Sequence, residues 1–205
     1  MNKQFKVLSA VLAVGSLLLL AGCAKYKAMP LPQLSVYSDK KGVSLAHRAF
    51  NVTESKMYLG RDIQKKGFQP LQLSITNNTD HSYQVTPSSL SMPIANADYV
   101  AQKSHTNTTG RAVGYGTAAV LSCGLFAIPA IVDGMGSSKA NKQLDMDYCA
   151  KMLRLDTVIH PHSTLSGVIF VARGAYTNDF TLTLSDTDSG KKVVLHSNSD
   201  YVDVK

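Results

Sequence analysis

His160-Pro161-His162 is the closest histidine pair in the chain and the first place to look for metal chemistry. A zinc-type site needs further Cys, His, Asp or Glu side chains converging on such a pair. Asp156 is near in sequence, but Pro161 between the two rings leaves them without a defined relation, and both read as exposed turn histidines. Asp145-Met146-Asp147 offers paired carboxylates, which can hold a cation or divide acid and base roles. The same acids at a helix start complement its dipole, and that is the reading taken. Ser122-Cys123-Gly124 lies in an apolar run, a poor setting for a reactive thiolate. Gly60-Arg61-Asp62 reads as an exposed turn. No Gly-x-Ser-x-Gly, His-Glu-x-x-His or phosphate-cradling glycine loop occurs. The sequence therefore assigns no catalytic residue, no metal ligand and no cofactor.

Cysteine chemistry is more informative. Lys3 and Lys6 precede an uncharged run from Val7 to Gly22, which ends in Leu20-Ala21-Gly22-Cys23. A basic start, an apolar stretch and a small-residue cleavage site make a secretory signal, and the apolar run is short for a membrane span. Leu-Ala-Gly followed by cysteine resembles the lipobox of bacterial lipoproteins. The resemblance covers residues 1–23. It implies diacylglycerol on the Cys23 sulfur, cleavage before Cys23 and acylation of the new amine. Ala24, rather than Asp, follows the cysteine, and the resemblance then implies sorting to the outer membrane. Cys123 and Cys149 remain, in a compartment where disulfides form. Each lies in a helix-like segment, with a turn-rich stretch at 133–138 between them. A bridge across that helical hairpin is one arrangement. Two buried free thiols are the other and the favoured one.

The expected mature chain, Cys23–Lys205, has 183 residues and a formal charge of +5, from 19 basic and 14 acidic groups. That length suits one domain with a real core. Residues 25–66 hold nine basic groups against three acids, so positive charge collects next to the expected anchor, where an anionic bilayer would attract it; a solvated, evenly spread charge set is the other reading and the slightly favoured one. Nucleic acid is a poor partner for a secreted lipoprotein, and there is no aromatic-basic interleaving of the kind single-strand binders use. Residues 24–33, with Pro30 and Pro32, read as a semi-rigid tether.

The elements that must position all of this are mostly strands. Val43, Leu45 and His47 share one face of an early strand. Leu71, Leu73 and Ile75 alternate with Gln72, Ser74 and Thr76, the period of a half-buried strand. Asn77-Asn78-Thr79-Asp80 has turn composition, and Tyr83, Val85 and Leu90 continue as a return strand, so 69–91 reads as an antiparallel hairpin. Later strands fall at 155–160 and 165–172, and Phe180, Leu182 and Leu184 alternate before the turn at 186–190 and a return over 193–196. About eight short strands predict a mainly β fold: an immunoglobulin-like antiparallel β-sandwich, interrupted at about 94–153 by a helical, glycine-rich apolar insertion. Within it, 95–104 reads as one helix and 144–153 as another, with Asp145 and Asp147 in its first turn.

The 21 residues of Ala112–Val132 carry no charge. Gly110, Gly114, Ala118 and Ser122 recur every four residues, a small-residue stripe that lets another helix approach closely. Pro129 should kink or end a helix near residue 128. Three arrangements fit: a helix or hairpin packed on the sandwich, an apolar element entering a bilayer or lining an oligomer, or a glycine-rich linker. The expectation is a non-enzymatic, outer-membrane-anchored periplasmic lipoprotein, a structural or protein-interaction module that packs through 110–132 onto an envelope protein or a second copy. A subunit of an envelope-spanning channel or secretion complex is the transport alternative. A metal-dependent hydrolase using His160, His162 or Asp145 is the enzymatic one. No small-molecule substrate is indicated.

Overall fold

The structure, a computed structural model, describes residues 25–34, 38–106 and 127–198. Among them are nine strands and three α-helices. The strands are β1 (Ser38–Lys40), β2 (Val43–Ala49), β3 (Phe68–Asn77), β4 (Tyr83–Val85), β5 (Ile94–Ala95), β6 (Thr157–Ile159), β7 (Ser163–Ala172), β8 (Thr181–Asp186) and β9 (Lys192–His196). The helices are α1 (Val52–Leu59), α2 (Ala97–Ser104) and α3 (Ala127–Lys151). The fold is mainly β, as the alternating patterns predict. The strands form two antiparallel sheets, β1-β2-β3-β7-β5 and β6-β4-β8-β9.

Period-two side-chain alternation builds the core between the sheets. Leu71, Leu73 and Ile75 of β3 join Val43 and Leu45 of β2 and Ile169 and Val171 of β7. Tyr83, Val85, Ile159, Leu182, Leu184, Val193 and Leu195 meet them from the other sheet. His47 shares the inward face of Val43 and Leu45. Its Nε2 lies 2.9 Å from the Ser197 carbonyl, and its ring meets Phe180 edge-on at 5.1 Å.

One expected pairing fails. β3 and β4 are not a hairpin, because β3 lies in the five-stranded sheet and β4 pairs with β6 and β8 in the other. Residues 78–82 therefore arch from sheet to sheet. Alternation tells which face of a strand is buried and leaves its partner open. The hairpin expected at 181–196 does form, with Leu182 opposite Leu195 and Leu184 opposite Val193.

A second apolar layer lies outside the inter-sheet core. It includes Leu59 and Ile63, Val100 of α2, Leu144 and Tyr148 of α3, and Phe170 of β7, all buried. The Tyr148 and Phe170 rings stack at 5.7 Å, and Phe68 meets Tyr99 edge-on at 6.0 Å. Beyond this apolar half, the outward face of β3 and β7 is polar: Ser74 bonds Ser166 at 2.7 Å, and Thr76 bonds Thr164 at 3.0 Å.

The insertion departs from expectation in two ways. Ile94 and Ala95 belong to the sheet, opposite Val171 and Phe170 of β7. Helix α3 is continuous from Ala127 to Lys151 and runs through Pro129 and the expected turn at 133–138. Gly134 and Gly136 each cost about 1 kcal/mol relative to alanine in a helix, which weakens it without forcing a stop. Asp145 and Asp147 thus sit deep in a long helix and not in a first turn. Residues 27–104 and 144–198 form one compact unit, which holds the sandwich, and 127–143 belong to a second. In the second, Asn141 receives the Thr106 N–H at 2.8 Å and returns a bond to the Thr106 carbonyl at 3.2 Å. Among the described residues no helix is long and apolar enough to cross a membrane.

Candidate functional site

Two places in the sandwich unit gather polar groups: the last turn of α1 and the end of the sandwich where the 78–82 arch meets the β8–β9 hairpin.

Helix α1 has well-defined ends. Asn51 caps its start: the Asn51 Oδ1 accepts the Glu54 N–H, and the Glu54 carboxylate accepts the Asn51 N–H, each at 2.9 Å. Arg48 pairs with Glu54 from β2. Gly60 ends the helix in the left-handed conformation (φ 64°). A helix end leaves carbonyls without intrahelical donors, and here three consecutive ones are met from elsewhere in the unit. The Met57 carbonyl accepts the Met29 N–H at 2.8 Å. The Tyr58 carbonyl accepts from Lys151 Nζ at 2.7 Å, and the Leu59 carbonyl from the Tyr148 hydroxyl at 3.3 Å.

Lys151 also donates to the Met29 carbonyl and to Asp147 Oδ2, both at 2.8 Å. The acid four residues before the lysine is the favourable order on a helix. Desolvation of the buried Tyr148 phenol raises its pKa well above the ordinary value, so it stays a neutral donor. Arg61 does for α2 what Lys151 does for α1: its Nε donates to the Ser104 carbonyl at 3.3 Å. Gly60-Arg61-Asp62 is therefore half-buried and structural, not the exposed turn its composition indicated. The 24–33 segment is not a free spacer over its described part. Met29 is held at both backbone groups, and Gln72 Nε2 donates to the Pro32 carbonyl at 2.8 Å.

At the arch end, Asn77 is fully buried and organises the loops. Its Nδ2 donates to the His81 carbonyl at 2.7 Å and the His160 carbonyl at 3.0 Å, while its Oδ1 accepts from the Thr79 N–H and hydroxyl. This brings the 78–82 arch beside the β6–β7 turn. The β8–β9 turn closes around Asp186, whose Oδ1 accepts the N–H groups of Asp188 and Ser189, both at 2.9 Å. Those two bonds, with a lesser contribution from His81, hold its carboxyl below the usual carboxylate range. Asp186 Oδ2 lies 3.2 Å from His81 Nδ1. The ligating atoms of His81, Asp186 and Asp188 all fall within 4.8 Å of one another, with Asp186 buried and the other two exposed.

The sequence-derived candidates fare differently. His160 and His162 are exposed in a turn, as expected. His162 Nε2 meets Asp80 Oδ1 at 3.0 Å, and no metal cluster among the described residues includes either ring. Asp147 orients Lys151, and Asp145 is exposed on α3. Cys149 is also exposed on α3, which corrects the favoured expectation of a buried thiol there. Cys23, Cys123 and the stripe Gly110, Gly114, Ala118 and Ser122 lie outside the described residues. His81 and Asp186 escaped the sequence reading because they are far apart in the chain. The turn composition at 77–80 and 186–190 was the only signal they left. No protein-family model matches the chain, and neither does any curated protein or solved structure compared with it.

Proposed function

We propose that this chain is an outer-membrane lipoprotein, anchored through Cys23 and facing the periplasm, and that its β-sandwich is a non-enzymatic interaction module. The observation that carries the reading is the binding of Met29 into the domain next to the lipobox. Met29 follows Cys23 by six residues, a reach of at most about 20 Å. An acyl anchor on Cys23 would thus keep the helical layer close to the lipid headgroups. Lys27 and Lys56, two residues from Met29 and one from Met57, are exposed and suit an anionic surface. The arch end, with the exposed His81 and Asp188, would then be the part of the sandwich offered to partners.

Full-length protein expressed with a clickable palmitate analogue tests the anchor. Label should enter the wild type and be absent from Cys23→Ala, which should leave the membrane fraction on carbonate washing. A Cys23→Ala protein that stays labelled or membrane-embedded would overturn it. Crosslinking in intact cells tests the module: discrete adducts with an envelope protein or a second copy are expected, and a chain that forms none is no interaction module.

A further inference from the structure

We propose that His81, Asp186 and Asp188 form a binding site for a divalent transition cation of the zinc class. The three side chains come from two segments that only the fold unites. His81 ends the arch between the sheets, and the two aspartates lie on the β8–β9 turn.

The spacing accommodates a cation as well as an ion pair. A charge-assisted N–H···O bond closes to about 2.7–2.9 Å. The His81–Asp186 separation is 3.2 Å. In a tetrahedral site with metal–ligand bonds of about 2.0–2.1 Å, neighbouring ligand atoms stand about 3.4 Å apart. The pair is thus held near the edge length of such a site. Asp186 is set in place before any ion arrives: its Oδ1 is occupied by two backbone N–H groups, which leaves Oδ2 directed to His81. Asp188 is exposed, and its carboxylate lies within 4.8 Å of the other two ligating atoms, where it would be the third ligand.

One imidazole with two carboxylates suits zinc and its neighbours better than calcium or magnesium, which prefer all-oxygen shells. Three protein ligands at an exposed position leave room for water or for a carboxylate from a partner. The cation would pin the arch to the hairpin turn and so brace the end of the sandwich.

The test uses full-length protein in detergent, stripped of metal with a chelator, then titrated with Zn²⁺ by calorimetry and with Co²⁺ by visible absorption. One equivalent of Zn²⁺ should bind and raise the melting temperature. His81→Ala and Asp188→Asn should each weaken binding at least as much as loss of an outer-sphere partner does, roughly 10–100-fold. Both residues are exposed, so the metal-free variants should melt like the wild type, and His162→Ala should bind normally. Absence of binding would overturn the proposal. So would binding that survives His81→Ala and Asp188→Asn, or a thiolate–cobalt charge-transfer band lost in Cys149→Ser.

Discussion

The ammonium group of Lys151, in the last turn of α3, donates to the carbonyl oxygen of Tyr58, in the last turn of α1, at 2.7 Å. A cation at a helix C-terminus meets the negative end of the dipole. Here it meets a carbonyl that has no donor within its own helix. The same nitrogen holds Met29, so one side chain joins two helices and the N-terminal segment.

Lys151→Met keeps most of the apolar stem and removes all three bonds. Hydrogen bonds to a charged group contribute about 1.5–3 kcal/mol each when well formed, with losses that do not add. A total cost of about 2 kcal/mol is expected. The 27–34 segment should become the first site of limited proteolysis, while the sandwich stays intact. Denaturant unfolding and mapping of the earliest cleavage check both. A variant cut elsewhere first would show that the segment is held by other means.

Gly167 faces a different constraint. It lies in β7 where the chain leaving α3 crosses the strand, with the Leu153 N–H bonded to the Val168 carbonyl at 3.0 Å. A Cβ on residue 167 would clash with the Leu153 backbone nitrogen and stand 2.6 Å from its Cα and 2.8 Å from the Met152 carbonyl carbon. These are backbone atoms and cannot swing away. Gly167→Ala should therefore destabilise by at least the 1–3 kcal/mol typical of overpacking. Gly174→Ala, where a Cβ meets nothing within 4 Å, is the control and should change little. Thermal unfolding of the two variants side by side decides the matter.

Asp186 makes stability depend on acid. Its folded pKa lies below its unfolded value, which is near 3.9. Its contribution is thus fully present above the unfolded value and is lost as pH falls through the lower folded one. Asp186→Asn keeps an oxygen for the turn N–H groups and removes the charge. The variant should be less stable than wild type at neutral pH, and the gap should close on acidification below about pH 4. Urea midpoints across that range report the gap. A difference that stays constant would mean that the carboxylate charge contributes nothing.

Much of the strand structure was legible from Leu71, Leu73 and Ile75, and again from Phe180, Leu182 and Leu184, because burial on one face writes a period of two into the chain. The helix over 97–104 was read within two residues of its start. Four features were not legible, for separate reasons. The division of β3 and β4 between sheets depends on the course of the 78–82 arch, which turn composition does not specify. The continuity of α3 through Gly134 and Gly136 runs against local propensity, which is a weak guide to where a helix stops. The docking of Met29 uses backbone groups, which are the same in every residue and leave no mark in the sequence. The His81–Asp186 pair was invisible because the two residues lie about a hundred positions apart and only the fold brings the arch to the β8–β9 turn.

The attachment of Met29 also decides how the domain would carry load. A pull on the N-terminus would not reach β1 at Ser38 directly. It would first act on the Met29–Met57 and Lys151–Met29 bonds and then on the bond from Gln72 to Pro32. Tension from the N-terminal side would thus spread into α1, α3 and the middle of β3, and the edge strand would feel it last. An edge strand peels one hydrogen bond at a time, whereas this strap engages several elements at once. Force entering through the 27–34 segment would thus be shared among α1, α3 and the centre of the sheet before it reached the edge strand.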